Sequence, residues 1–219
     1  MILKAQRLVL PKNTKGKDFV VGDIHGHVTK LLKQLDDIGF NKQTDRVICV
    51  GDLIDRGPES KEALALLDEP WFFAVLGNHE YLMVSGMKYK NSRERMTWLK
   101  HGGDWIMQTG ADEWPQWFAQ IEAMPVAIEV ENADGVRYGI VHADFPAEHW
   151  DEFETFDQDQ LYRCIWSRSH FNGRSEHKVK GIDYLFHGHC VSDGELKLGN
   201  RFYIEPGVFL GNDFIIKQL

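Results

Sequence analysis

KDFVVGDIHGHVTKLLKQLDDIG, Lys17 to Gly39, starts as an apolar strand, breaks at Gly22 and continues as a helix. Lys17 to Val21 reads as the strand. Val28, Leu31, Leu32, Leu35 and Ile38 recur at helical spacing, and Gly39 closes the helix. Between strand and helix stand Asp23 and His25, two residues apart and able to point the same way. The pattern then repeats. Arg46 to Val50 is a second strand ending on GDLIDRG (Gly51 to Gly57), followed by a helix over Glu59 to Leu67 led in by Pro58. Trp71 to Leu76 is a third strand, ending on GNHE (Gly77 to Glu80), with a helix over Glu80 to Met87. Strand, glycine turn, polar residue, helix is how a parallel sheet brings side chains from distant sequence to one edge.

Arg93 to Ala123 reads as mostly helical, interrupted at Gly102-Gly103 and Gly110. PVAIEVE, a turn at Asn132 to Gly135 and VRYGIVH then form a β-hairpin. Asp183 to Phe186, Arg201 to Ile204 and Asp213 to Lys217 are further short strands, so a second, predominantly antiparallel sheet is expected to pack on the first. Phe145 to Val179, polar and aromatic, is expected to be loop and short helix over the active site. The fold class is α/β (α+β), with two mixed β-sheets flanked by helices, in one domain over residues 1–219.

The 219 residues carry a net charge of −8, which disfavours binding to a nucleic-acid backbone. No apolar run reaches the ~20 residues that span a bilayer, and Lys4 and Arg7 interrupt the N-terminal apolar stretch, unlike a signal peptide. Three cysteines without a CxxC pair point to a reduced, cytoplasmic setting, with Cys49 as a packed thiol. A monomer is expected.

His142 ends the hairpin strand and His189 follows the apolar DYLF run. With Asp23, His25, Asp52 and Asn78 they make a six-member oxygen and nitrogen donor set with no sulfur. That composition suits Mn, Fe, Zn or Co rather than a thiolate zinc site or a calcium loop. Six ligands around one ion leave no open position, whereas two divalent ions can clamp a phosphate and activate a shared water. Any one of these residues alone reads better as a helix cap or a hydrogen-bonded core residue. Only the ordered set, each member at a predicted strand end, makes a metal site.

These motifs, with WSR (Trp166 to Arg168), HGGDW (His101 to Trp105) and VHAD (Val141 to Asp144), resemble the calcineurin-like metallophosphoesterases of the phosphoprotein phosphatase superfamily. The nearest resemblance is to bacteriophage-type and bacterial serine/threonine protein phosphatases, from about Asp18 onward. The resemblance implies that Asp23, His25 and Asp52 hold one metal and that Asp52, Asn78, His142 and His189 hold the other, most simply manganese. It implies that Arg56 and Arg168, with Asn78, bind the phosphoryl group, and that His79, held by Asp55, protonates the leaving oxygen. Glu80 would support the site, and His187 is a neighbour or packing residue. The implied reaction is direct attack on phosphorus by a hydroxide bridging the two metals, without a covalent enzyme intermediate. The implied substrates are phosphoserine and phosphothreonine in proteins, with phosphotyrosine and phosphohistidine as further candidates.

Leu76 departs from the pattern, standing where these protein phosphatases carry Arg or Lys. Leu before GNH is shared with symmetrical diadenosine tetraphosphate hydrolases, which usually have GNHD and lack the Asp of DRG; here Asp55 and Glu80 are both present. That hydrolysis is the enzymatic alternative, and an inactive metal-binding or phosphoprotein-binding module is the alternative outside catalysis. Trp105 and Trp166 read first as core and second as walls of the substrate cleft.

Overall fold

The computed structural model describes Met1 to Leu219. In chain order the strands are β1 (Arg7–Leu10), β2 (Asp18–Val21), β3 (Arg46–Cys49), β4 (Phe72–Ala74), β5 (Ala127–Glu131), β6 (Arg137–Val141), β7 (Tyr184–Val191), β8 (Leu196–Leu198), β9 (Arg201–Glu205) and β10 (Ile216–Gln218). The helices are α1 (Val28–Asp37), α2 (Ser60–Ala65), α3 (Asn78–Met83), α4 (Ser92–Lys100), α5 (Trp114–Ala123), α6 (Gln158–Trp166) and α7 (Ser169–Asn172).

Two sheets form a sandwich. One has the order β10-β2-β3-β4, the other β1-β5-β6-β7-β9-β8. In the first, β2, β3 and β4 run parallel and β10 adds an antiparallel edge. Alternation along each strand sorts its side chains between two layers. Val20 and Ile48 face inward, joining Ile128, Val130, Ile140, Phe186 and Ile204 between the sheets. Val21, Val47 and Cys49 face outward to Leu31, Leu35 and Leu64 of α1 and α2. The outer side of the six-stranded sheet is covered by Trp150 and Phe153 and by Leu161 and Ile165 of α6.

The expected antiparallel second sheet is corrected here. β1 with β5, β6 with β7 and β7 with β9 are parallel, and only the β5–β6 hairpin and the β8–β9 pair are antiparallel. Long connections separate β1 from β5 and β6 from β7, the latter carrying α6 and α7, and β8 intervenes between β7 and β9, so no local turn announces their direction. β1 was not anticipated; Leu10 is buried while Val9 is exposed, a weak pattern in a four-residue edge strand. α3 begins at Asn78 rather than Glu80 and gives way at Val84 to a π-turn through Lys88.

The candidate metal and phosphoryl site

The six proposed ligands converge where the strands of both sheets end. Asp23 follows β2, Asp52 follows β3, Asn78 opens α3 after β4, His142 follows β6, and His189 lies near the end of β7. Asp52 is central. Its Oδ2 lies 3.8 Å from His25 Nε2 and 3.3 Å from His142 Nε2, and His142 Nε2 is 3.0 Å from Asn78 Oδ1. Asp23 Oδ2 is 3.9 Å from His25 Nε2 and accepts the backbone N–H of His189 at 3.0 Å. His25, Asp52 and His79 form one cluster of donor atoms; Asp52, His142 and His189 form another, with Asp52 common to both.

Backbone geometry at the site is unusual. His25, Asp52, Asp55, Arg56 and His189 are five of the seven non-glycine residues with positive φ. Such conformations cost about 1–3 kcal/mol each and persist only where the surroundings enforce them. Glu80 supplies much of that enforcement. Its buried carboxylate accepts N–H bonds from Asp52, Leu53, Ile54 and Gly77, clasping the second motif turn to the third. At His189 the register of β7 against β9 shifts between His187 and Val191, a bulge that re-aims the imidazole. Gly188 makes this possible: a Cβ there would lie 1.8 Å from Asp23 Oδ1.

Asp23, Asp52, Asp55, Glu80 and Glu205 are all buried here. Burial, with the neighbouring Glu205 and Asp52 charges, pushes Asp23 well above the usual carboxylate range. Burial and Asp52 raise Glu80 to about 7. Burial works the same way on Asp52, but the adjacent His142, His79 and His25 outweigh it and hold its carboxyl well down. His25 and His189 are driven down by burial and by neighbouring histidines, His189 to about 3, which leaves them neutral with lone pairs for a metal. Crowded buried carboxylates beside neutral imidazoles fit divalent cations, which would neutralise the one and bind the other.

His79 is different. Its Nδ1 is 2.6 Å from Asp55 Oδ2, and its Nε2 is 3.1 Å from Arg56 Nη2. Burial alone would lower its pKa, but the Asp52 charge and the Asp55 hydrogen bond outweigh burial and raise it. Asp55 is fully buried and also accepts indole N–H bonds from Trp98 and Trp105, each at 2.7 Å. Trp105, expected first as core, is therefore tied to the His–Asp pair. Arg56 and Arg168 are exposed and line an open cleft of about 400 Å³ with Phe171, His189, Cys190, Val191 and Phe209. The Arg56 guanidinium sits 4.3 Å from the centre of the Phe209 ring.

Leu76 is buried in the apolar core and lines a separate cavity with Met1, Leu3, Met124 and Val126. Its departure from the motif thus concerns packing rather than the cleft. His187 is also buried, its Nδ1 bonded to the Val141 carbonyl, away from the ligand clusters. Glu205, which accepts the Asp23 N–H at 3.0 Å, escaped sequence reading, although an acid ending the apolar FYI run was a usable signal. Trp98 and Phe209 carried no comparable signal.

A sandwich of two mixed sheets with a dinuclear-type donor set at its strand ends defines a metallophosphoesterase. The chain belongs to the calcineurin-like phosphoesterase family, which matches residues 19–193. It is 34% identical over 197 residues to serine/threonine-protein phosphatase 2 of Salmonella typhimurium, covering 87% of each protein. It is 32% identical over 139 residues to a symmetrical bis(5'-nucleosyl)-tetraphosphatase of Aliivibrio salmonicida, covering 52% of this chain and 50% of that protein. Among solved structures, a protein provisionally named a diadenosine tetraphosphatase superposes with a TM-score of 0.66 over 99% of this chain and 98% of its own, at 21% identity. That likeness establishes the fold alone. The family implies divalent metal ions, and no helix is long and apolar enough to cross a membrane.

Proposed function

We propose that the protein is a metal-dependent phosphomonoesterase acting on phosphoserine and phosphothreonine in proteins. The observation that carries this reading is the Asp55–His79–Arg56 line, which sets a buried imidazole with a raised pKa directly behind a guanidinium that lines an open cleft. Arg56 and Arg168 present planar forks that can each grip two phosphoryl oxygens. Asp55 holds the proton on His79 Nδ1, and Arg56 Nη2 donates to Nε2 at 3.1 Å; once Arg56 turns to a phosphoryl group, Nε2 is free to take up a proton and pass it to a departing oxygen. An alkoxide is a poor leaving group, and a general acid of this kind contributes ~10²–10⁴-fold.

Asp23, His25, Asp52, Asn78, His142 and His189 would hold two divalent cations, manganese first. When bound, these would polarise the phosphoryl group and lower the pKa of water. Glu80 and the strained turns hold the ligands in place, and Phe209 props the Arg56 guanidinium. The extensive match to a serine/threonine phosphatase supports the protein substrate, and the open cleft suits a phosphate presented on a polypeptide.

The test is turnover by manganese-loaded enzyme on a phosphoserine peptide and on diadenosine tetraphosphate in parallel. Activity confined to the nucleotide would refute the substrate assignment. His79→Asn, folded and metal-loaded, should lose most activity on the peptide; wild-type rates would refute the general-acid role.

A further inference from the structure

Asp144, the last residue of VHAD, lies two positions beyond His142 and is 1% exposed. Its carboxylate reaches across to the chain that carries Arg168. Ser167 donates its hydroxyl to Oδ2 at 2.8 Å, and His170 Nδ1 meets Oδ1 at 2.6 Å. These two partners bracket Arg168 on either side. Below, the fully buried Arg201 places Nη1 3.6 Å from Oδ1 and donates from Nη2 to the Phe145 carbonyl. The Phe145 N–H also bonds Oδ1, and Ala143 N–H bonds the Cys164 carbonyl in α6.

Arg168 needs such support. It precedes α7, a helix of only four residues that has no stability of its own. Its guanidinium is exposed in the cleft without a carboxylate partner, and the Cys190 thiol that it meets is only a weak acceptor, which fixes its direction poorly. The loop beneath must supply the aim.

We propose that Asp144 is a positioning residue for Arg168: by gripping Ser167 and His170 it locks the arginine loop to the end of β6, where His142 stands. Asp144 thereby sets the distance between the phosphoryl-binding guanidinium and the metal ligands without touching substrate. This rests on the reading of Arg168 as a phosphoryl ligand. It assigns a role to the Asp of VHAD and to Ser167 and His170.

A double-mutant cycle tests it. His170→Ala, Arg168→Ala and the double variant are loaded with manganese and measured for kcat/KM on para-nitrophenyl phosphate and for inhibition by inorganic phosphate. Metal content and thermal unfolding are measured alongside, and His170→Asn, which keeps a side-chain donor, is the rescue variant. Displacing a substrate-positioning group by about 1 Å can cost ~10²-fold, so His170→Ala should lose between about 10- and 100-fold and weaken phosphate inhibition in step. The double variant should be no worse than Arg168→Ala, metal content should be unchanged, and His170→Asn should recover most of the loss.

Additive losses, or a His170→Ala variant with wild-type kinetics, would overturn the positioning role while leaving the phosphoryl site intact. An Arg168→Ala variant with undiminished activity would instead remove the phosphoryl reading on which the proposal stands. Ser167→Ala, at the other end of the clamp, repeats the cycle if His170→Ala does not fold.

Discussion

Replacing Trp105 by Phe should weaken both the fold and the chemistry, and by amounts the structure allows to be worked out. Asp55 is fully buried, and its Oδ1 accepts only the Trp105 indole, whereas Oδ2 accepts both Trp98 and His79. Phenylalanine keeps a ring packed edge-on against Trp98 and tilted against Trp117 but leaves Oδ1 without a donor. A hydrogen bond to a charged group is worth ~1.5–3 kcal/mol. The smaller ring adds roughly 1 kcal/mol of lost burial. The expected cost is therefore about 2–4 kcal/mol, or a fall in Tm of roughly 4–16 °C for a chain of this size.

Trp117→Phe is the matched control, since Trp117 is a buried indole that packs on the same ring and does not reach Asp55. On the chemistry, burial already raises Asp55, and its three donors work against that rise. Losing one weakens its hold on the His79 imidazolium. Turnover of a phosphoserine peptide should fall about tenfold, part of the general-acid contribution, while para-nitrophenyl phosphate, with its good leaving group, should change little. Calorimetry and paired kinetics on the two substrates read both effects. If Trp105→Phe costs no more stability than Trp117→Phe, or slows both substrates equally, the account of Asp55 is wrong.

Gly188→Ala should abolish activity and lower metal content in folded protein, because the added Cβ would collide with Asp23 Oδ1; plasma emission analysis of the purified variant checks it. Asp144 carries a pH signature: burial would raise it, but the hydrogen bond and charge of His170 prevail and hold it at about 2. Its ordinary unfolded value is ~3.9, so the stability it contributes, about 2–3 kcal/mol, is complete above pH ~4 and disappears as pH falls through about 2. The difference between wild type and Asp144→Asn in urea unfolding should shrink accordingly between pH 5 and pH 2 (roughly the span of the two values). Burial pushes the Cys190 thiol up to about 11 and also raises Cys49 and Cys164 well above the usual thiol value. Ellman's reagent at pH 8 should therefore find no fast-reacting thiol in the native protein and all three after denaturation.

Much of this molecule was legible in the chain because its information is local. Short, unbroken apolar runs specify β2 and β3 and the turn at Asn132 to Gly135 the β5–β6 hairpin, and the glycine turns after β2 and β3 name residues that sit at a sheet edge. The six proposed ligands could be picked out because each is tied to a strand end only a few residues away. The convergence of Trp98 and Trp105 on Asp55, of Glu205 on Asp23, and of Ser167 and His170 on Asp144 spans dozens of residues of intervening chain or joins separate elements. So do the parallel pairings of β6, β7 and β9. Such contacts follow from how packed layers meet rather than from any short-range pattern, since a hydrogen-bond donor carries no mark of its distant acceptor. The donor set proposed for the centre could therefore be read from local sequence, while the hydrogen bonds that surround it were decided only by tertiary packing.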